Sequence, residues 1–407
     1  MISVEEALER ILSRIAVLGD ERVALLDALD RVLAEPVVAE RDIPPWSNSS
    51  MDGYAVRSAD TRDADAGRPA RLALTGHVTA GRLADRPLGP GETYRIFTGA
   101  PLPEGADAVI PQEDVTVEGT TVRVPRPLAP GDYVRPRGED RRPGDRLFEP
   151  GRALSPADLG VLATVGRSRV AVVRRPLVGI LSTGDEIADL GFPVGPGQIP
   201  NSNTYSLMAQ VRAAGAEPLN LGVARDQQDE IEARLAWGLG ADLLISSAGV
   251  SVGEHDHVKA ALAALGAEQH LWLVDMRPGK PITFATVPSP LKGTLPVFGL
   301  PGNPVSAMVT FELFVRPAIR RLSGHTRLGR PVRPARALAP IANPGRRRGY
   351  LRVTLSEREG VLSARLTGEQ GSGILRSMSA ADGLAIVPGD TTVGAGETVP
   401  VMLLRET

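Results

Sequence analysis

The sequence predicts a multidomain protein of α/β and β class. The expected parts are a central three-layer α/β domain with a mostly parallel sheet, a β-rich inserted domain, an N-terminal helical linking domain and a small C-terminal β-barrel-like domain. Three observations lead there. Between Pro176 and Arg321 an apolar strand runs three times into a glycine-bearing loop and then a helix, the alternation that builds a parallel sheet covered on both faces. Residues 45 to 144 instead carry Gly, Pro and Asp between short β-branched runs, which reads as a β-rich unit. After a polar, Pro- and Arg-rich stretch from Ser323 to Arg336, short alternating strands return.

At 407 residues the chain is long enough for several cores. We expect an elongated linking and dimerisation domain over 1–44 with 145–172, the β-rich domain over 45–144, the α/β domain over 173–325 and the last domain over 326–407. A formal net charge of −2 argues against nucleic acid or a membrane surface held by bulk electrostatics. No apolar run approaches the roughly 18 residues of a membrane span, and the N-terminus lacks the basic-then-apolar layout of a signal peptide. A cytoplasmic enzyme is the expectation. The absence of cysteine excludes disulfides, zinc–thiolate sites and thiol catalysis.

The elements follow in order. Val4, Ala7, Leu8, Ile11, Leu12, Ile15 and Leu18 fall on one helical face, so residues 3–18 read as an amphipathic helix with Ser3 and Glu6 as a capping pair. A second short helix is expected over Leu26–Leu33, ending before Pro36. Val115–Val117 and Thr121–Val124 flank a Glu118-Gly119 turn, a hairpin signal. Ser155–Val165 reads as a helix with Pro156 at its first position. Leu177–Leu181, Pro218–Gly222, Asp242–Ser246 and Thr294–Gly299 read as strands. Asn203–Ala214, Asp229–Leu239, His255–Leu265 and Pro304–Leu322 read as the helices between and after them. Leu351–Leu355, Ala385–Val387 and Val399–Leu403 are strands of the last domain.

Parallel strands present their C-terminal ends on one edge, where open α/β sheets bind ligands. Three loops lie there: Ser182 to Glu186, Ser246 to Asp256 and Gly299 to Pro304. Successive N–H groups in the second loop are suited to an anion nest, although a tight small-residue connection explains the same composition. Glu254 and Asp256 stand at the start of the next helix, as dipole caps or as ligands of a hard cation. Asp185 and Glu186 allow the same two readings, and Asp226 adds a carboxylate on the same edge. In Pro301-Gly302-Asn303-Pro304, Asn303 suits an N-cap and Pro304 the first helical turn, with Ser306 one turn in. Arg277-Pro278-Gly279-Lys280-Pro281 sets two cations three residues apart in a non-helical stretch, a surface turn or a rigid oxyanion grip. His255-Asp256-His257 lacks the partner cluster of a transition-metal site, and neither a Ser-His-Asp order nor a Walker lysine is present.

As an ordered set these motifs resemble the molybdopterin molybdenumtransferase family, the MoeA proteins, found also as the E domain of gephyrin. Asn48 to Ala55, Phe97 to Asp107, Arg137 to Asp140, Ser182 to Glu186, Gly249 to Asp256, Arg277 to Pro281 and Gly299 to Ser306 match in order, as does Gly371 to Met378. The resemblance implies a magnesium-dependent reaction in which molybdate and adenylylated molybdopterin give molybdenum cofactor and AMP. It implies an elongated four-domain homodimer with a site shared between subunits, and molybdopterin adenylyltransferase as the pathway partner. It assigns catalysis to Asp52, Thr98, Asp140, Glu186, Asp226, Asp256 and Lys280. Substrate contacts fall to Ser182, Thr183, Gly184, Gly249, Ser251, Gly253, Arg277, Pro301, Ser306, Arg352 and Ser372. Magnesium falls to Asp185, Glu186, Asp226 and Asp256. No nucleophilic side chain is needed if a molybdate oxygen attacks phosphorus directly.

Two positions depart from the family pattern. Arg277 replaces the first lysine of Lys-Pro-Gly-Lys, and Ala248 replaces the first glycine of Gly-Gly-Val-Ser. A left-handed backbone at an alanine costs roughly 1–2 kcal/mol, so a right-handed or extended conformation is expected at Ala248. Two other readings compete. A molybdopterin adenylyltransferase would carry a Gly-Gly-Thr-Gly-type loop at Ala248 to Gly253 and would not need residues 45–145 or 326–407. A non-catalytic scaffold of the gephyrin type is compatible with lost acids, yet Asp52, Asp140, Glu186, Asp226 and Asp256 are all present.

Overall fold

The computed structural model describes residues 1–248, 257–290 and 293–405. Its centre is a six-stranded sheet of β1 (Leu177–Thr183), β2 (Glu217–Ala224), β3 (Leu243–Ser247), β4 (Glu268–Leu273), β5 (Pro281–Ser289) and β6 (Gly293–Leu300), in the order β2-β1-β3-β6-β5-β4. The pairs β2–β1, β1–β3 and β3–β6 are parallel, whereas β6–β5 and β5–β4 are antiparallel. The sheet is therefore mixed. All four strands expected from the sequence lie in its parallel half. The antiparallel strands β4 and β5 were not among the expected ones; Pro281 and Pro288 stand at the start of β5 and near its end, where a missing N–H is tolerated.

Helices cover both faces. On one side α1 (Ser202–Ala213) contributes Leu207 and Val211 to a core with Phe284, Phe298, Phe311 and Phe314. On the other, α2 (Gln228–Trp237) and α3 (His257–Ala264) pack Ile231, Leu235, Val258 and Leu262 on Leu181, Leu244 and Val297. The single helix expected over Pro304–Leu322 is α4 (Pro304–Thr310), a π-helical turn (Phe311–Val315) and α5 (Arg316–Leu322).

The β-rich unit is a six-stranded sheet in the order Ala108–Pro111, Gly53–Val56, Glu92–Ile96, Ala70–Val78, Thr121–Val124, Thr116–Glu118. Its last two strands form the expected hairpin, with Gly119 at φ +60. In the C-terminal unit, the pairing of Arg348–Arg358 with Gly383–Val387 closes a ring of five strands. The linking unit joins distant segments. Asp20–Ala24 pairs with Arg169–Val173, and Val37–Val38 with Arg146–Phe148. Ser155 caps the helix Pro156–Thr164 reciprocally with Asp158.

Both N-terminal helices are shorter than the hydrophobic spacing implies. The first covers only Val4–Leu12: Ser13 donates its hydroxyl to the Arg10 carbonyl, and the chain leaves the helix so that the Leu18 N–H reaches the Leu322 carbonyl. Ile15 is still buried, but as part of a turn. Ser3 accepts from the Glu6 N–H at 3.0 Å, while the Glu6 carboxylate turns to Arg10. Over Leu26–Leu33 there is only a 3₁₀ turn, Leu25–Ala28, because the Leu33 N–H is taken by the Arg152 carbonyl of a neighbouring segment. Among the described residues no helix is long and apolar enough to cross a membrane.

Candidate active site

The C-terminal ends of β1, β3 and β6 open onto a cleft of about 790 Å³. Ser182, Thr183 and Glu186 line it, together with Ala248, Gly302, Asn303 and a wall formed by residues 199–203. The Ser182 hydroxyl lies 2.7 Å from that of Thr204 and donates to Asn201 Oδ1 at 3.3 Å, so it holds the start of α1 in place. Beneath the cleft surface, Thr183 Oγ1, Asn201 Nδ2 and Asn203 Oδ1 are buried without a hydrogen-bond partner. Asn203 spends both its amide hydrogens on Ser247 Oγ (2.9 Å) and the Gly302 carbonyl (2.8 Å), which ties α1 to the other two loops. The sequence reading missed Asn201 and Asn203. The signal was present in two asparagines flanking Ser202 at the N-terminus of α1.

Ala248 corrects the expectation for its backbone. Its φ is +77, in the left-handed region. The position is fixed from both sides: its N–H donates to the Leu300 carbonyl at 3.1 Å, and its carbonyl accepts from Ser246 Oγ at 3.3 Å. Gly249, Ser251, Gly253, Glu254, His255 and Asp256 lie outside the described residues.

Gly184 turns the chain at φ +138 and donates its N–H to the Ala224 carbonyl, which brings the end of β2 alongside. The Asp226 N–H then donates to Asp185 Oδ1 at 3.3 Å. Partial burial, followed by the nearby Asp185 and Glu186 carboxylates, pushes the Asp226 carboxyl above its usual range. Among the described residues, no three His, Cys, Asp or Glu side chains form a cluster able to hold a metal ion. The three carboxylates nevertheless repel one another. That is the electrostatic surplus a hard cation relieves.

The segment Arg277–Lys280 sits against α4. Gly279, at φ +104, has no room for a side chain, since a Cβ would lie 2.4 Å from Thr310 Cγ2 and 3.7 Å from the Ser306 carbonyl oxygen. Arg277 and Lys280 are both exposed, and the Arg277-Pro278 peptide is cis. Ser306 is buried, as is Pro301. Asn303 occupies the N-cap position of α4 but makes no side-chain cap, contrary to expectation; it lines the cleft instead.

The C-terminal unit supplies the remaining wall through Gly373 and Leu375. The Ser372 carbonyl accepts from the Val305 N–H at 3.1 Å, which docks this loop on the start of α4. Behind the loop stands Arg352, 0 % exposed. It donates to Ser377 Oγ at 3.0 Å and to the Gly371 carbonyl at 2.9 Å, while its Nη1 is buried without a partner. Burial, and then the charge of Arg277, pushes its pKa down to about 10.

Asp52, Thr98 and Asp140 lie in the β-rich part and do not line the cleft of the same chain. Asp52 Oδ1 accepts from the Thr98 N–H at 2.8 Å and hydroxyl at 2.7 Å. Asp140 is exposed, donates its N–H to the Ile43 carbonyl, and has its carboxylate 3.3 Å from Arg141 Nη1.

Comparison with known proteins accounts for nearly the whole chain. Residues 2–166 match the MoeA N-terminal region (domain I and II), residues 179–321 a probable molybdopterin binding domain, and residues 334–404 the MoeA C-terminal region (domain IV). A molybdopterin molybdenumtransferase of Nostoc sp. is 39% identical over 94% of this chain and 88% of its own length. One from Bacillus subtilis is 37% identical over 100% of this chain and 94% of its own. A solved structure of the molybdopterin biosynthesis MoeA protein from Pyrococcus horikosii superposes with a TM-score of 0.84 at 33% identity, covering 100% of both chains. With full-length relatives and all three regions in order, the chain belongs to the molybdopterin molybdenumtransferase (MoeA) family.

Proposed function

We propose that this protein is the enzyme that inserts molybdenum during molybdenum cofactor biosynthesis, transferring molybdate to adenylylated molybdopterin with release of AMP. The observation that carries the reading is the 790 Å³ cleft at the ends of three parallel strands, walled by α1, the start of α4 and the Gly373–Leu375 loop. Its volume suits a ligand of nucleotide size. Its floor holds unpartnered amide and hydroxyl groups, as recognition of a polar heterocycle requires.

Lys280 and Arg277 supply positive charge for molybdate or the substrate's phosphate. Arg352 holds the Ser372 loop against α4, so that the Ser306 region and the C-terminal wall keep one geometry. Asp185, Glu186 and Asp226, with Asp256, would hold magnesium, which when bound would offset charge on the pyrophosphate and the departing AMP.

Asp52 and Thr98 are a fixed pair away from the cleft of their own chain, which supports a homodimer in which one subunit's β-rich part completes its partner's site. The adenylyltransferase that makes the adenylylated substrate is then the natural pathway partner, in the cytoplasm. The reading divides the chain into a linking domain over 1–44 with 145–172, a β-rich domain over 45–144, an α/β domain over 173–325 and a last domain over 326–407.

The test mixes purified protein with adenylylated molybdopterin, molybdate and magnesium. AMP release that requires molybdate is the expected result. Folded protein that releases none would overturn the proposal.

A further inference from the structure

Arg95 braces the Asp52–Thr98 pair without bonding to either residue. It lies in the strand Glu92–Ile96, directly opposite Tyr54 of the strand Gly53–Val56, and is half-buried. Asp52 stands two residues before Tyr54, and Thr98 three residues after Arg95. The guanidinium carbon lies 4.9 Å from the centre of the Tyr54 ring and 5.4 Å from that of Phe97, the residue before Thr98. Arg95 Nη2 donates to Gln112 Oε1. The Gln112 amide is held in that orientation because its Nε2 donates to Glu113 Oε1 at 3.1 Å. Its backbone N–H donates to the Asp52 carbonyl at 3.0 Å. One guanidinium thus touches a neighbour of Asp52 on each adjoining segment.

A sheet brace accounts for the ring contacts, since an arginine lying over aromatic faces is attracted to them. It does not account for where the charge is left. Among the described residues Arg95 has no carboxylate within 4.0 Å, although the exposed Asp52 carboxylate is close enough to feel its charge. The Thr98 N–H, then its hydroxyl, lower the Asp52 pKa, and the Arg95 charge acts in the same direction. Both Thr98 bonds fall on Asp52 Oδ1. A direct arginine pair would ordinarily grip both carboxylate oxygens. Held back by the two rings and Gln112, the cation favours the ionised carboxylate and leaves Oδ2 open.

We propose that Arg95 is a positioning residue of the half-site contributed by the β-rich unit: stacked on Tyr54 and Phe97 and anchored to Gln112, it keeps Asp52 and Thr98 in register with Asp52 Oδ2 open to the substrate. The inference rests on the molybdenum-insertion reading and on the place of Asp52 in that site.

The test combines carboxyl NMR of the substrate-free full-length protein with steady-state AMP release. Arg95→Met keeps the length of the side chain but removes its charge and its donor to Gln112. The Asp52 carboxyl should then titrate at higher pH than in wild type, and kcat should fall about 10-fold with KM held within about twofold. Arg95→Lys, which keeps the charge and the ring contact, should recover most of both. In an Asp52→Asn background, Arg95→Met should cost less than about twofold more, because the two residues act as one unit. Should Arg95→Met not fold, Gln112→Leu frees the guanidinium and should move the Asp52 titration the same way. An unmoved Asp52 titration in the folded variant overturns the inference whatever the activity. So does a full multiplicative loss in the double variant, since Arg95 would then act on the substrate by itself. Wild type that releases no AMP while Arg95→Met still shifts Asp52 overturns the proposed function and leaves the brace between Arg95 and Asp52 standing.

Discussion

Asp52 and Thr98, separated by 46 residues in sequence, are joined by two hydrogen bonds to one carboxylate oxygen, from the Thr98 N–H at 2.8 Å and its hydroxyl at 2.7 Å. These donors stabilise the ionised form and depress the Asp52 pKa, the backbone N–H being the larger cause. A depressed carboxyl contributes its stabilisation above the unfolded pKa and loses it as pH falls through the folded one. Thr98→Val removes the hydroxyl alone. We expect the Asp52 pKa to rise toward the ordinary range, as followed by carboxyl NMR, and AMP release to fall roughly 10–100-fold through loss of positioning. Unchanged turnover with a shifted Asp52 would remove Asp52 from the site.

Arg352 should couple stability to substrate binding. Arg352→Met fills much of the volume but leaves the Ser377 hydroxyl and the Gly371 carbonyl without their buried donor. Ser377 Oγ still donates to the Ile374 carbonyl and the Gly371 carbonyl still accepts from the Ile374 N–H, so neither is orphaned; losing the two bonds from the guanidinium, at about 1 kcal/mol each, should lower stability in urea unfolding by roughly 1–2 kcal/mol. Because the Ser372 carbonyl accepts from Val305 N–H at the cleft, KM should rise more than kcat falls. A destabilised variant with unchanged KM would make Arg352 purely structural.

The parallel half of the central sheet was legible because each of its strands is a short apolar run followed by a loop and a helix signal. Strands β4 and β5 were not: β5 carries Pro281 and Pro288, which fit a strand only once its neighbour shows which N–H groups the ladder needs, and β4 pairs with β5 at the edge of the sheet. The helix expected over 3–18 is present but ends at Leu12, and the one expected over 26–33 is only a 3₁₀ turn, for a related reason. Ile15 and Leu33 are buried by distant segments, and hydrophobic spacing does not distinguish that burial from a helical face. At the cleft, Ser182, Thr183 and Glu186 could be read from their place after a strand. Asn201 and Asn203 could not, because a polar residue before a helix ordinarily reads as a cap. Asn201 is such a cap, accepting from Thr204 N–H, and its Nδ2 gains its significance only from the cleft above it.

Asp226 gives a pH dependence of the opposite sign to Asp52. Its pKa is raised by partial burial, then by Asp185 and Glu186, so ionising it opposes folding. That penalty is absent below the unfolded pKa and develops fully once pH rises through the folded one. Asp226→Asn should therefore leave stability unchanged or raise it by about 0.5 kcal/mol at pH 8, with the difference shrinking in acid. Magnesium should stabilise wild type and act much less on the variant. Equal magnesium responses in calorimetric unfolding would exclude Asp226 from the proposed metal site.

Ala248 holds a conformation that glycine adopts more readily, with φ at +77. The hydrogen bonds to Leu300 and from Ser246 fix the peptide groups on both sides, so the residue cannot relax by turning them. Alanine in the left-handed region costs roughly 1–2 kcal/mol. Glycine removes that strain but adds about 0.5–1 kcal/mol of unfolded-state entropy. The Ala248 methyl faces Gly302, where a Cβ built on the glycine would lie 3.4 Å from it. The difference leaves Ala248→Gly stabilising by up to about 1 kcal/mol. Urea unfolding at unchanged m-value would register it as a higher midpoint. A lower midpoint would mean that the methyl's packing and the glycine's unfolded-state entropy together outweigh the backbone strain.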